Sequence, residues 1–436
     1  EGLTDQQYVQ AMTDGFDEIV DNVKHFAPEA MAVVCGIDAE EIRTVARRYA
    51  TAERSLIFWG MGISQHIHGT DNVRSLITLA ALRGQNNVQG ASDVGLIPMV
   101  YPDYKPVENA RIRDVYEELW DTELDHTNGL TVVEIMKAIL NDQIKGMYIM
   151  GENPAMSDPD VQHARDALAK LEHLVVQDIF LTETAFHADV VLPASAFPEK
   201  TGTFTNTNRQ VQMARVVIDP PGDARQDWWI LQEIANRLDL GWNYAGPADV
   251  FAEMKKVMRS LDNITWERLD REGAVTYPCL REDEPGQAIL FGERFPTANG
   301  RARLVPTHLL PPGEMPDQEY PMVLTTGRLL EHWHTGAMTS RATTLSHLEP
   351  TPIVGMSPHQ MGEMGIGPGD RVRVSTRRGQ IELKVRADRE VPDGMVFIPF
   401  CFTEAAANLL TNPQLDPMGK IPEFKYCAAK VEKVMA

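Results

Sequence analysis

The stretch that decides the fold is residues 146–178, GMYIMGENPAMSDPDVQHARDALAKLEHLVVQD. An apolar run at 146–150 ends in a glycine corner, a helical pattern follows at 161–171, and a second apolar run occupies 174–177. Apolar runs that alternate with amphipathic helices are typical of βαβ units in a mostly parallel sheet. Further buried strands are predicted at 55–59 and 188–192, and further helices from Asp71 as N-cap, at 131–141 and at 227–238.

The character of the sequence changes near residue 320, where short β-type runs begin to alternate with turns that contain Gly and Pro. Regular spacing of this kind predicts a small β-barrel. The fold class is therefore predicted as α/β, with mostly parallel sheets and helices on both faces, followed by a small C-terminal β-barrel. The predicted barrel strands are 322–326, 371–376, 381–387 and 395–399. The predicted domains are an α/β region at 1–225, a connecting helical region at 226–319 and the barrel at 320–436.

Composition and charge exclude several classes of function. The chain has 436 residues and a net charge of −21, which disfavours binding to nucleic acid or to an anionic membrane. The sequence contains neither an apolar run near 18 residues nor a signal-peptide pattern. Its four cysteines form no CxxC pair, which disfavours a metal site made by this chain alone and favours a reducing, cytoplasmic location. Because Glu1 is not an initiator Met, we expect the chain to be part of a longer polypeptide.

Residues 83–90, RGQNNVQG, are the most unusual segment. Amides donate and accept hydrogen bonds at once, and glycine lets the backbone approach a ligand closely. Arg83 offers a planar, permanently charged fork that matches a carboxylate. The alternative is a polar surface loop capped by glycines, and composition alone favours that alternative.

Polar side chains also follow two predicted strands. Asn153 and Ser157 come after 146–150, and Gln177 and Asp178 end the next strand. The carboxyl ends of strands in open α/β sheets are where ligands bind, and helix-start amides attract phosphate. The alternative is a strand exit followed by a helix N-cap. Residues 202–209 are similarly ambiguous, because their hydroxyls and amides also suit a turn with local caps.

Residues 325–336 combine Arg328 with His332 and His334. Two histidines alone make no metal site, so hydrogen bonds to phosphate or to a heterocycle are the better functional interpretation. The alternative is that both histidines are core or edge residues. The sequence contains no Walker A loop, no GxGxxG after a strand and no Ser–His–Asp arrangement. These patterns together predict a site for a large, polar ligand that is anchored at several points.

Taken together, these segments resemble the bis(molybdopterin guanine dinucleotide) oxidoreductases of the dimethyl sulfoxide reductase family. Within that family they resemble the C-terminal half of the large (alpha) subunit of molybdenum- or tungsten-dependent formate dehydrogenases, nearest to the soluble NAD-linked type. The resemblance runs from about Ile57 to Val431 and is most specific at Arg83–Asp93, continued by Pro98 and Tyr101–Tyr104.

The resemblance implies that the C-terminal β-barrel is six-stranded. It also implies reversible oxidation of formate to CO2 at a Mo- or W-bis(molybdopterin guanine dinucleotide) centre, with Arg83 orienting formate. The carboxylate-binding fork of arginine suits that role. The positions that match cofactor-binding residues are Gly60, Gly62, Gln65, His66, Gly84, Gln85, Asn153, Ser157, Gln177, Asp178, Asp227, Gly327, Arg328, His332, His334, Thr335, Asn408, Lys425 and Tyr426.

The resemblance also implies parts that this sequence does not contain. The family ligates its metal through a Cys or selenocysteine followed by His in an upstream segment, and no Cys-His dipeptide occurs here, so no metal ligand is expected in this chain. The [4Fe-4S] clusters are likewise expected upstream. Relatives place a glycine-rich segment where Leu82 directly precedes Arg83.

The implied partners are formate and CO2, together with iron–sulfur subunits and NAD/FMN-binding subunits that pass electrons to an acceptor such as NAD. No nucleic acid partner and no membrane span are expected. Two alternatives stay open: another oxidoreductase of the same superfamily, such as a nitrate reductase, and a non-catalytic scaffold with the same fold.

Overall fold

The computed structural model describes residues 1–81 and 94–434. The predicted catalytic residue Arg83 and the neighbouring Gly84 and Gln85 lie outside the described residues. The helices in the described part are α1 Gln6–Met12, α2 Phe16–Val23, α3 Pro28–Cys35, α4 Ala39–Thr51, α5 Met61–Ser64, α6 Gly69–Ala81, α7 Ala110–Trp120, α8 Val132–Leu140, α9 Pro154–Ser157, α10 Val161–Lys170, α11 Asp227–Arg237, α12 Pro247–Val257, α13 Trp266–Glu272, α14 Thr343–Leu348 and α15 Pro358–Glu363.

The strands of the described part are mostly short. They are β1 Thr13–Asp14, β2 Val100–Tyr101, β3 Lys105–Pro106, β4 Gly146–Met150, β5 His173–Asp178, β6 Val190–Pro193, β7 Gly202–Thr205, β8 Gln210–Ala214, β9 Ala274–Thr276, β10 Ala302–Arg303, β11 Met322–Gly327, β12 Ile353–Met356, β13 Arg371–Ser375, β14 Gln380–Ala387, β15 Met395–Pro399 and β16 Cys427–Lys433.

The predicted βαβ pattern forms the parallel sheet β4–β5–β6. Helix α8 begins with a capping box, in which the Glu134 side chain accepts a hydrogen bond from the backbone N–H group of Thr131. Helices α8 and α10 bury apolar side chains such as Leu168 against Leu174 and Val176 of β5. Since the three strands are parallel, their carboxyl ends meet at one edge of the sheet.

The C-terminal region is a closed six-stranded barrel with the order β11–β15–β12–β14–β13–β16. Alternate residues point inward, as in β14, where Ile381, Leu383 and Val385 are buried and the residues between them are not. The predicted fold class is thereby confirmed. The sequence analysis missed β12, which is short and buried at every position, and β16, which closes the barrel.

The strand predicted at 55–59 is wrong. Residues 55–59 form no strand, and the side chain of Phe58 is 88% exposed. A strand requires hydrogen bonds to a neighbour, and within the described residues none pairs with this segment. The predicted N-cap is also misplaced, because α6 begins at Gly69 and Asp71 lies in its first turn, where it pairs with Arg74.

The antiparallel sheet β7–β8–β9 was not predicted. Residues 202–209 form β7 and the turn that leads into β8, and in this turn the Asn206 Oδ1 atom accepts hydrogen bonds from the backbone N–H groups of Asn208 and Gln210 at 2.8 and 3.1 Å. The turn alternative therefore describes this segment.

The described residues divide into two compact units. Unit 1 takes its residues from Glu1–Asn87, Ala288–Gly313 and Leu415–Ile421, and its small core contains Ile19 and Leu304. Unit 2 holds the parallel sheet, the antiparallel sheet and the barrel, each with its own core. The domain boundaries at 225 and 319 stay a prediction. Within the described residues, none of the helices has the length and apolar character needed to cross a membrane.

Candidate functional site

The first group of predicted site residues lies where β4 and β5 end, and we call it the strand-exit corner: Asn153, Ser157, Gln177, Asp178 and Asp227. Asn153 is buried, and its Oδ1 atom accepts hydrogen bonds from the N–H and hydroxyl groups of Thr184 at 3.1 and 2.8 Å. Its Nδ2 atom donates to Glu183 at 2.8 Å. The Asn153 side chain therefore locks the exit of β4 to residues 183–184.

Gln177 joins two further members of the corner. Its side chain is completely buried, accepts a hydrogen bond from the Tyr148 hydroxyl and donates one to Asp227 Oδ1 at 2.7 Å. Asp227 is also ion-paired with Lys200. The structure thus brings Gln177 and Asp227, which are fifty positions apart in the sequence, into direct contact.

Asp178 presents a carboxylate at the end of β5. Its Oδ1 atom accepts hydrogen bonds from the backbone N–H groups of Ile179 and Phe180 at 2.6 and 3.3 Å. Burial raises the pKa of Asp178, whereas these two donors and the charge of Arg341 oppose the rise. In the part of the chain that the structure describes, no donor reaches the second oxygen, which leaves one acceptor available to a ligand.

Asn408 connects the barrel region to the corner. Its Nδ2 atom donates to the carbonyl oxygens of Met156 and Ser157 at 2.9 and 3.0 Å, and the residue is 3% exposed. A buried amide that satisfies two carbonyls fixes both segments, because losing it would leave buried acceptors without partners. Asn408 therefore holds Ser157 in place from the barrel side.

Asp158 lies directly beyond the corner and was not singled out from sequence. Burial, followed by the charge of Glu152, raises the pKa of Asp158 to about 7. Its Oδ2 atom is buried without a hydrogen-bond partner among the described residues. The side chain lines a cavity of about 120 Å³ that Lys137 and His163 also border.

The second group, which we call the barrel cation cluster, consists of Arg328, His334 and Lys425 around the ring of Phe400. The Arg328 guanidinium lies 5.7 Å and the Lys425 Nζ 6.0 Å from the centre of that ring, and the His334 ring lies 5.4 Å from it. Arg328 also covers the ring of Trp333 at 5.4 Å.

The charges in this cluster are unbalanced. Lys425 donates to the Thr326 carbonyl at 2.5 Å, and within the described residues neither Lys425 nor Arg328 has a carboxylate partner. Burial, followed by the charge of Arg328, lowers the pKa of Lys425 to about 8. The same two causes lower the pKa of His334. An anionic ligand would relieve this repulsion.

Three neighbours of the cluster shape the same loop. Any side chain at Gly327 would collide with Phe397, since a Cβ atom there would stand 2.4 Å from its ring. His332 is buried, and its Nε2 atom lies 2.9 Å from the Glu349 carbonyl oxygen. Its Nδ1 atom has no partner among the described residues. Thr335 is also buried.

The remaining predicted residues belong to neither of the two groups as defined above. Tyr426 is half-buried, and burial, followed by the charge of Glu423, raises its pKa. Gly60, Gly62, Gln65 and His66 surround the short helix α5 in unit 1, where the His66 Nε2 atom lies 2.9 Å from the Gly62 carbonyl oxygen.

Several contributors were missed from sequence: Thr184, Lys200, Arg341 and Phe400. Arg341 donates to the Leu181 carbonyl at 2.9 Å and covers the ring of Phe180 at 4.8 Å. Thr184, Lys200 and Phe400 each act through a partner more than 20 positions away, so no local pattern marks them. The run Met338–Arg341 begins two residues after the predicted segment 325–336, and that proximity was the one available signal.

The two groups offer complementary chemistry. The strand-exit corner presents hydrogen-bond acceptors, which suit a heterocycle that carries N–H donors, and the barrel cation cluster suits phosphate. Within residues 1–81 and 94–434, no three His, Cys, Asp or Glu side chains are arranged to hold a metal ion.

Comparison with known proteins identifies the family. Residues 19–237 match the family described as Molybdopterin oxidoreductase, and residues 322–428 match the Molydopterin dinucleotide binding domain. The second match coincides with the six-stranded barrel and includes every member of the barrel cation cluster.

Two curated relatives and one solved structure are similar over nearly the whole chain. The F420-dependent formate dehydrogenase subunit alpha of Methanocaldococcus jannaschii is 43% identical over 100% of this chain and 66% of its own length. Formate dehydrogenase H of Escherichia coli is 33% identical over 100% of this chain and 63% of its own length. Acetylene hydratase from Pelobacter acetylenicus shares the fold, with 18% identity, a TM-score of 0.77, and coverage of 99% of this chain and 68% of that chain.

This chain therefore spans slightly less than two thirds of the length of these two curated relatives. Both family matches and both relatives agree with the resemblance to formate dehydrogenase large subunits, whereas the NAD-linked type stays a prediction. The chain belongs to the molybdopterin oxidoreductase family.

Proposed function

We propose that this chain is the part of a formate dehydrogenase large subunit that holds a Mo- or W-bis(molybdopterin guanine dinucleotide) cofactor. The whole enzyme would catalyse the reversible oxidation of formate to CO2. The observation that carries the proposal is the barrel cation cluster, whose cations Arg328 and Lys425 have no carboxylate partner among the described residues, within a barrel that matches a dinucleotide-binding domain.

The described residues fit such a cofactor. Arg328 and Lys425 would bind phosphate oxygens, because two neighbouring cations are stabilised by an anion between them. His332 supports the fit, since its buried Nδ1 atom has no partner among the described residues. Asp178 would accept hydrogen bonds from the guanine N–H groups, since an ionised carboxylate is an acceptor only.

Arg83 is proposed to bind formate itself. When bound, the metal centre would supply the redox chemistry by which formate gives up two electrons and one proton to become CO2. Arg83 would hold both oxygens of formate through two parallel N–H donors, which fixes the orientation of the carbon–hydrogen bond. Because the guanidinium stays charged at every working pH, this clamp does not depend on a proton.

The path of the electrons is also a proposal. The Methanocaldococcus jannaschii relative is named as F420-dependent, which supports F420 as an acceptor, whereas the sequence analysis favoured NAD and partner subunits that bind NAD and FMN. Iron–sulfur clusters would carry the electrons between the two sites, in a cytoplasmic enzyme. Reduction of F420 and of NAD by formate, measured with the same preparation, would separate the two acceptors.

The test is formate turnover by the complete enzyme that contains this chain, together with its molybdenum, tungsten and guanine-nucleotide content. The Arg83→Ala variant is expected to lose turnover by at least about a hundredfold, since each 1.4 kcal/mol of lost transition-state stabilisation is tenfold. Its metal and nucleotide content should stay unchanged. Arg83→Lys is the control that keeps the positive charge but not the two parallel N–H donors, and it should recover only part of the lost turnover.

Two outcomes would contradict the proposal. Nitrate reduction without formate oxidation would assign the enzyme to another reaction of the family. A preparation without metal and without guanine nucleotide would support the non-catalytic scaffold.

A further inference from the structure

We propose that Arg341 is the positioning residue for nucleotide recognition: it clamps the loop after β5 so that the Asp178 carboxylate faces the base of a guanine nucleotide. This inference rests on the proposed function, because it requires the strand-exit corner to bind guanine. Arg341, on a loop of the barrel region, would thereby take part in recognising the base, and the base would be a purine that carries N–H donors.

The contacts of Arg341 come from two parts of unit 2. Its Nε atom donates to the Ala337 carbonyl at 2.9 Å, within its own loop between β11 and α14. Its Nη2 atom donates to the Leu181 carbonyl at 2.9 Å, and its guanidinium lies 4.8 Å from the centre of the Phe180 ring. The side chain thus ties this loop to the segment that begins at Asp178.

The clamped segment is the one that shapes the Asp178 carboxylate. The N–H groups of Ile179 and Phe180 both donate to Asp178 Oδ1, and Arg341 bonds to the carbonyl of the next residue, Leu181. That oxygen is therefore held by the backbone segment to which Arg341 binds. The carboxylate therefore has one oxygen fixed by the loop, while the other has no donor among the described residues. A shift of the loop would rotate both oxygens together.

The charge of Arg341 also favours the ionised form of the Asp178 carboxylate. The groups that surround Asp178 are Arg341 from the barrel side, Asp227 from α11 with its partner Lys200, and Glu152 after β4. Burial raises the pKa of Asp178, the two backbone donors and Arg341 lower it, and Asp227 raises it. Without Arg341, the carboxyl would take up its proton at a higher pH. A protonated Asp178 presents fewer acceptors to the N1–H and N2–H groups of guanine.

The experiment measures the affinity of the chain for GDP and for inosine diphosphate, which lacks the 2-amino group, by calorimetry across the whole pH range in which the chain stays folded. The wild-type chain should prefer GDP by about tenfold, the value of one hydrogen bond to a charged group. The Arg341→Gln variant should lose most of this preference at low pH, so the pH at which the preference is half-lost should rise. Arg341→Lys keeps the charge but lacks the guanidinium that bonds to Ala337 and Leu181, so it should leave that midpoint where it is and weaken the preference for GDP above it.

A matched control is Arg389→Gln, which removes an exposed arginine of the same unit. Arg389→Gln should behave as the wild type. An equal midpoint in Arg341→Gln and Arg389→Gln would overturn the inference and leave the proposed function intact, provided that the wild type still prefers GDP. Absence of GDP binding by the wild-type chain would instead overturn the nucleotide site at this corner. The midpoint does not depend on how much of a variant is folded, so reduced stability cannot imitate the expected result.

Discussion

The strand-exit corner and the barrel cation cluster are built in opposite ways. In the corner, the side-chain polar atoms of Asn153 and Gln177 form hydrogen bonds with other residues of the protein. In the barrel cation cluster, Arg328 and Lys425 both contact the ring of Phe400, and no carboxylate of the described residues balances their charges. Apart from the second oxygen of Asp178, the first arrangement is complete without a ligand, and the second becomes favourable only when an anion is present. The corner is therefore largely preformed and keeps one acceptor for a ligand, whereas the cluster attracts an anion through unbalanced charge.

Removing the two cations of the barrel cation cluster should have the largest effect on anion binding. In the variant Arg328→Gln with Lys425→Met, affinity for inorganic pyrophosphate is expected to fall about a hundredfold, since each charge-assisted hydrogen bond contributes about 1.5 kcal/mol or more. Calorimetry at pH 7 measures this loss. Arg389→Gln with Lys384→Met removes two exposed cations of the same region and should change little. A similar loss in both double variants would mean that only the overall charge matters.

Removing a satisfied amide should show the opposite character of the corner. Gln177→Leu leaves the Tyr148 hydroxyl and Asp227 Oδ1 without their partner, so the free energy of local opening at β5 should fall by about 1–3 kcal/mol. Hydrogen exchange of the β5 amides reports that free energy. Gln380→Leu, at an exposed barrel position, is the control. Unchanged protection in Gln177→Leu would show that this network does not hold the corner.

The smallest expected effect is the pH dependence of pyrophosphate binding to the barrel cation cluster. The pKa of Lys425 is lowered to about 8, so the side chain is charged below that pH and loses its charge as the pH rises through it. Pyrophosphate affinity should therefore fall up to about tenfold between pH 7 and pH 9, beyond any change due to the ligand itself. Lys425→Arg stays charged throughout and provides the reference curve. Parallel curves for the two proteins would rule out this titration.

Local patterns predicted well the elements whose stability is local. The strand–helix–strand run at 146–178 appears as β4, α10 and β5, because apolar periodicity sets which faces are buried. The same reasoning failed at 55–59, where an apolar run carries no information about a pairing partner. It also passed over β12, whose four buried residues are too few to show a period.

The candidate site divides along the same line. Gln177 and Asp178 could be found from sequence because they end a recognisable strand. Lys200 and Arg341 could not, because each acts on a partner that lies distant in the chain. The roles of the predicted site residues, Arg83 foremost, stay predictions, and Arg83 lies outside the described residues.

The sequence by itself determined the order of layers, parallel α/β units followed by a barrel, and through the resemblance of its polar segments it indicated the family. Periodicity and turn chemistry act over a few residues, so they can be read directly from the chain. Only the tertiary structure decided that Asn408 grips the segment around Ser157, and that Arg328, His334 and Lys425 share one ring. Such contacts depend on how distant elements pack, and no local pattern in the sequence encodes that packing.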